Sequence, residues 1–140
     1  MLSISTNAFI EVPFGDLQDM IRETSWLLDD GASIIAEASF SVEGNFCSVD
    51  ILKNHGNNRV EFYEVKSSTS VSEIYLYDAG YQYYVLNKCG YEVEKACLVT
   101  IDSAYVRMGD LELDKLFAVT DVTEEVVDRQ AEISEYIDML

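Results

Sequence analysis

The chain has one proline and one histidine in 140 residues, and only nine Lys plus Arg against 26 Asp plus Glu, giving a formal net charge of −17. A field of that sign repels phosphate backbones and anionic lipid and favours cations or basic proteins. The lone histidine, His55, excludes HExxH metalloproteases and leaves any Ser-His-Asp triad dependent on a residue in a polar turn. Cysteine is scarce as well. Cys47, Cys89 and Cys97 are odd in number and without CxxC spacing, so they read as reduced packing thiols; with His55 they lack the paired spacing of a structural zinc site. No run approaches the roughly 18 to 20 apolar residues of a spanning helix, and Met1 to Pro13 has no basic region ahead of an apolar core. The expectation is a cytoplasmic chain with no membrane partner.

What is present is the composition of a globular protein, 49% hydrophobic and 11% aromatic, in a length suited to one domain over residues 1–140. Helical spacing of Leu17, Met20, Ile21, Thr24, Leu27 and Leu28 predicts a helix over 16–30, with Asp16 as N-cap and Gly31 past its end. From Ser33 to Lys66, runs rich in Ile, Val, Phe and Tyr, broken at Glu43-Gly44-Asn45 and at 54–58, predict three antiparallel strands. Ser70 and Glu73 form a capping box for a second helix ending near Cys89, with Gly90 as left-handed cap. Tyr91 to Ile101 reads as a fourth strand. Asp121 and Glu124 open a last helix with apolar positions Val122, Val126, Ile133, Ile137 and Leu140. That stripe reaches the final residue, which fits either a longer protein or a helix docked on a partner. The acidic stretches 110–114 and 123–135 read as exposed surface.

The second hairpin carries the chemistry. With its turn centred on Asn57, residue i faces residue 114 − i, so Asp50 lies opposite Glu64. Lys66 then shares their face, with Ser48 opposite it and Leu52 and Phe62 flanking the acids, while Cys47, Val49, Ile51, Tyr63 and Val65 take the other face. Directly opposed carboxylates, with Cβ atoms ~5 Å apart, repel unless a cation lies between them. Mg2+, held by one or two carboxylates plus substrate phosphate oxygens, suits such a pair beside a lysine. On the second helix, Asp78 and Gln82 interrupt an apolar stripe of Val71, Ile74, Tyr75, Ala79, Val85, Leu86 and Cys89, and buried polar groups need partners. A backbone donor or a neighbouring tyrosine is the expected partner of Asp78. The competing reading is a cross-strand ion cluster on a solvated sheet face.

The segments Ser48-Val49-Asp50-Ile51-Leu52, Phe62-Tyr63-Glu64-Val65-Lys66 and Asp78-Ala79-Gly80-Tyr81-Gln82-Tyr83-Tyr84 resemble the PD-(D/E)xK nuclease superfamily, most closely its RecB-like branch, which includes CRISPR-associated exonucleases. The resemblance spans roughly residues 15 to 107. It implies an α/β fold with a restriction-endonuclease-like αβββαβ core, a mixed central sheet flanked by helices, and here an extra C-terminal helix. It implies Mg2+ or Mn2+ held by Asp50, Glu64 and the Val65 carbonyl, with Glu37, or less favourably Glu23, as a further acid. Lys66 would orient the attacking water and offset charge at the phosphorane, and Gln82 matches the branch's helix glutamine. The four-cysteine set of the CRISPR-associated members is absent, so no iron–sulfur cluster is expected. DNA is the expected substrate, bound weakly by this acidic chain alone. Two functions follow: a metal-dependent, exonuclease-like DNA-hydrolysing domain, or a catalytically weak nuclease-fold module that binds a basic protein or works with additional domains.

Overall fold

The computed structural model describes residues 9–102 and 116–140. Six strands form one mixed sheet in sequential order: β1 (Phe9–Glu11), β2 (Ile34–Val42), β3 (Asn45–Gly56), β4 (Arg59–Val65), β5 (Glu92–Ile101) and β6 (Phe117–Asp121). The four described helices are α1 (Leu17–Asp29), α2 (Glu73–Lys88), α3 (Thr123–Asp128) and α4 (Gln130–Asp138). Neighbours pair antiparallel except β1–β2 and β4–β5. Parallel strands need a long return connection, and α1 and α2 supply it in the two cases. The αβββαβ order therefore holds from α1 to β5, with a short strand added at each edge. The acidic stretch 110–114 lies outside the described residues.

Helix α1 begins where the sequence indicates, with the Asp16 carboxylate accepting the Gln18 N–H at 2.9 Å. It is fastened to the sheet by Thr24, whose buried hydroxyl donates to Met20 O at 2.8 Å and accepts the Ser39 N–H at 2.9 Å. The predicted capping box of α2 does not form. Ser72, without a side-chain cap bond, is the N-cap, while the Ser68 hydroxyl and Ser70 backbone bond within the preceding turn. The last helix is broken at Arg129, the junction of α3 and α4. Its opening is made by Asp121, which accepts the Thr123 N–H and hydroxyl.

One core joins both long helices to the sheet, with Met20 and Leu27 from α1, Ala79, Val85 and Leu86 from α2, and Ile35, Leu52, Phe62 and Leu98 from the strands. Val126 and Ile133 extend it, so the C-terminal stripe docks on α2, whereas Leu140 is exposed. Gly80 permits that docking: a Cβ there would stand 2.3 Å from Ile133 Cδ1. Gln130 seals the contact by donating to Gly80 O at 3.0 Å.

Simple alternation fails in the middle of the β2–β3 pair. The β2–β3 register keeps a constant sum from Ile34–Lys53 to Val42–Asn45, yet the ladder skips Glu37 and Asp50, and Glu37 has φ 60°. On either side of that gap the core-facing positions are Ile35 then Ala38 and Phe40, and Leu52 then Val49 and Cys47. The faces thus exchange at Glu37 and Asp50, which corrects the expectation that Cys47 and Val49 lie opposite Leu52. No described helix is long and apolar enough to cross a membrane.

Candidate active site

The site lies where β3 and β4 part beneath α2. The β3–β4 pairs Ile51–Tyr63 to Asn54–Val60 follow the expected 114 − i register. One step further the ladder stops, and the Val65 N–H donates instead to Asp50 Oδ2 at 2.8 Å. Asp50 is thereby aimed at the end of β4, beside Glu64. β4 continues its alternation, with Phe62 in the core and Glu64 two residues on, its side chain only 13% exposed. Lys66 follows the last residue of β4, its N–H bonded to Val99 O at 2.9 Å. Its ammonium stands 3.5 Å from Glu64 Oε2 and 2.9 Å from Asp78 Oδ2, over the Tyr75 ring at 5.0 Å from the centroid.

Tyr75, Asp78 and Gln82 recur at helical spacing, so one face of α2 meets Lys66 with its first two polar groups and Glu64 with the third. Burial pushes the Glu64 carboxyl up to about 7; the Gln82 amide and Lys66 oppose the rise, and the Asp50 charge adds to it. For Lys66, burial works against the charged form, but Asp78 and Glu64 outweigh it and hold the ammonium above its ordinary range. Oε1 of Glu64 and Oε1 of Gln82 are both buried without a hydrogen-bond partner among the described residues. An orphaned carboxylate oxygen beside a second acid accepts a cation or a donor, and unpaired polar atoms of this kind are rare in packed interiors.

Asp50, Glu64, Lys66 and Gln82 are therefore gathered in one place. Glu37 is not gathered with them into a three-acid cluster: its carboxylate accepts the Ser48 hydroxyl at 3.3 Å, and its left-handed backbone sits at the face exchange. Glu23 lies on the exposed side of α1, in a shallow depression with Asp19, Arg22, Ser25, Trp26 and Asp29. Asp78 was visible as a polar break in the α2 stripe, but its partner is Lys66 rather than a backbone donor or a tyrosine. Several tyrosines serve packing: Tyr81 donates to Phe46 O, Tyr77 donates to Glu132, and Tyr84 is buried.

On a different part of the sheet, ligand atoms of His55, Glu61 and Glu94 lie within 4.8 Å of one another. Each acid there already has a donor. His55 pairs with Glu61 at 2.8 Å, Tyr63 also donates to Glu61 at 2.7 Å, and Arg59 pairs with Glu94 at 3.0 Å, so the group reads as a surface ion-pair network. No family model, curated protein or solved structure matches the chain.

Proposed function

We propose that the chain is a metal-dependent nuclease domain of restriction-endonuclease-like fold that hydrolyses phosphodiester bonds, with DNA as its substrate. The observation that carries the reading is the buried Glu64 carboxylate, with Oε1 unpartnered, placed beside Asp50 and within reach of Lys66. The αβββαβ order and the presence of Gln82 against Glu64 support it.

The donor set fits Mg2+ or Mn2+: hard carboxylate oxygens from Asp50 and Glu64, with the Val65 carbonyl as the expected third protein ligand. Bound there, the ion would activate water and offset charge on the phosphoryl oxygens. The chain's own residues do the rest. The Val65 N–H fixes the Asp50 carboxylate, and burial fixes that of Glu64. Lys66 offers a charged donor to a phosphate oxygen, which strengthens as negative charge develops there. Gln82 sets its amide against Glu64 and leaves its carbonyl Oε1 unpartnered, an acceptor for a water at the same face.

A second reading, a catalytically weak module binding a basic protein, is favoured by the contacts that Lys66 already makes with Glu64 and Asp78 and by the net charge of −17. Calorimetric titration with Mn2+, followed by cleavage assays on single- and double-stranded DNA, separates the two. Metal binding that is lost in Asp50→Asn, together with cleavage, supports the nuclease. Absence of both supports the interaction module.

A further inference from the structure

We propose that Asp78 is the positioning residue for Lys66: it takes the closer contact with the ammonium and so keeps Oε1 of Glu64, beside Asp50, open for a cation. The inference rests on the nuclease reading above. Lys66 leaves the end of β4 with its backbone N–H fixed to Val99 O. Its long flexible stem would let the ammonium close on the nearest carboxylate, the buried and underpaired Glu64. It does not do so. The shorter contact is to Asp78 Oδ2, at 2.9 Å against 3.5 Å to Glu64 Oε2, and Glu64 Oε1 remains without a donor. Tyr75, three residues earlier on the same face of α2, supports the ammonium from the same side, with its centroid at 5.0 Å.

The division of labour is therefore spatial. The sheet supplies the carboxylates, and α2 holds the lysine at their edge, closer to Asp78 than to Glu64. Remove the Asp78 charge and Lys66 has one strong partner left, Glu64, so it competes with a metal ion for that carboxylate. Asp78 is half-exposed and outside the core, so its substitution leaves the packing intact.

The test is a double-mutant cycle read by Mn2+ calorimetry on the full chain, with circular dichroism as the check of folding. Asp78→Asn is expected to weaken Mn2+ binding about fivefold or more while Lys66 is present, and by less than about twofold in a Lys66→Met background, since coupling exists only between residues that interact. Asp78→Glu, which keeps the charge, is expected to retain binding within about threefold. Equal weakening in both backgrounds, or none in either, overturns the inference, because a merely structural or long-range role of Asp78 would not depend on Lys66. A wild-type chain that binds Mn2+ but cleaves no DNA overturns the nuclease reading alone. One that binds no Mn2+ overturns both.

Discussion

Glu64→Gln is the substitution whose effect the structure specifies most closely. The carboxyl ionises near pH 7 in the folded chain against its ordinary 4.5, chiefly through burial, with the Asp50 charge adding to it. A folded pKa above the unfolded one means that the native state binds the proton more tightly. The associated stability is fully present below about pH 4.5 and is lost as pH rises through about 7. A gap of about 2.5 pH units, at about 1.4 kcal/mol each, amounts to about 3.5 kcal/mol. Urea unfolding from pH 4.5 to 8 should therefore show wild-type stability falling by up to about 3.5 kcal/mol, with Glu64→Gln removing most of that fall. Millimolar Mn2+ should restore wild-type stability at pH 8 and leave the Gln variant unchanged, since only the ionised pair gains a ligand. A Gln variant whose stability falls with pH in parallel with wild type would refute the account of Glu64.

Other consequences are independent of the metal. Thr24→Val should destabilise the chain by about 1–3 kcal/mol in urea titrations, because the buried Ser39 N–H loses the Thr24 hydroxyl as acceptor. Phe62→Ala, at a fully buried core site on β4, should cost about 3–5 kcal/mol and lower the thermal midpoint accordingly. Glu37→Gly should be neutral or stabilising by up to about 1 kcal/mol, since glycine tolerates φ 60°, and should leave Mn2+ affinity unchanged; a large loss of affinity would restore Glu37 as a ligand. Gly80→Val should loosen the α2–α4 contact, seen as faster amide exchange in α4, unless Ile133 is cut back to Ala in the same chain.

Most of this architecture is legible because it rests on periodicity and turn chemistry. The apolar spacing of α1, the glycine- and asparagine-rich turns, and a 114 − i register that holds from Ile51 to Asn54 all follow from side-chain alternation and backbone preference. The exchange of faces at Glu37 and Asp50 was hidden because it depends on a left-handed backbone at a glutamate, a residue with no special preference for it. β1 and β6 escaped notice for a different reason: strands of three and five residues are specified by neighbours already in place, not by a local pattern. At the site, the polar break in α2 announced that Asp78 and Gln82 needed partners, but not which. The lysine at the end of β4 meets Asp78 only through the crossover that α2 makes back to β5, a relation of tertiary structure absent from either segment alone.

The central claim is that Asp50, Glu64 and Lys66 form a working phosphodiester-hydrolysing centre. Its most direct test is cleavage of end-labelled DNA by the purified chain in Mn2+ or Mg2+, wild type against Lys66→Ala. The account predicts metal-dependent cleavage, abolished by chelation and reduced about 100-fold or more in the variant. Cleavage that persists undiminished in Lys66→Ala, or no cleavage by the wild-type chain with either metal, would contradict it.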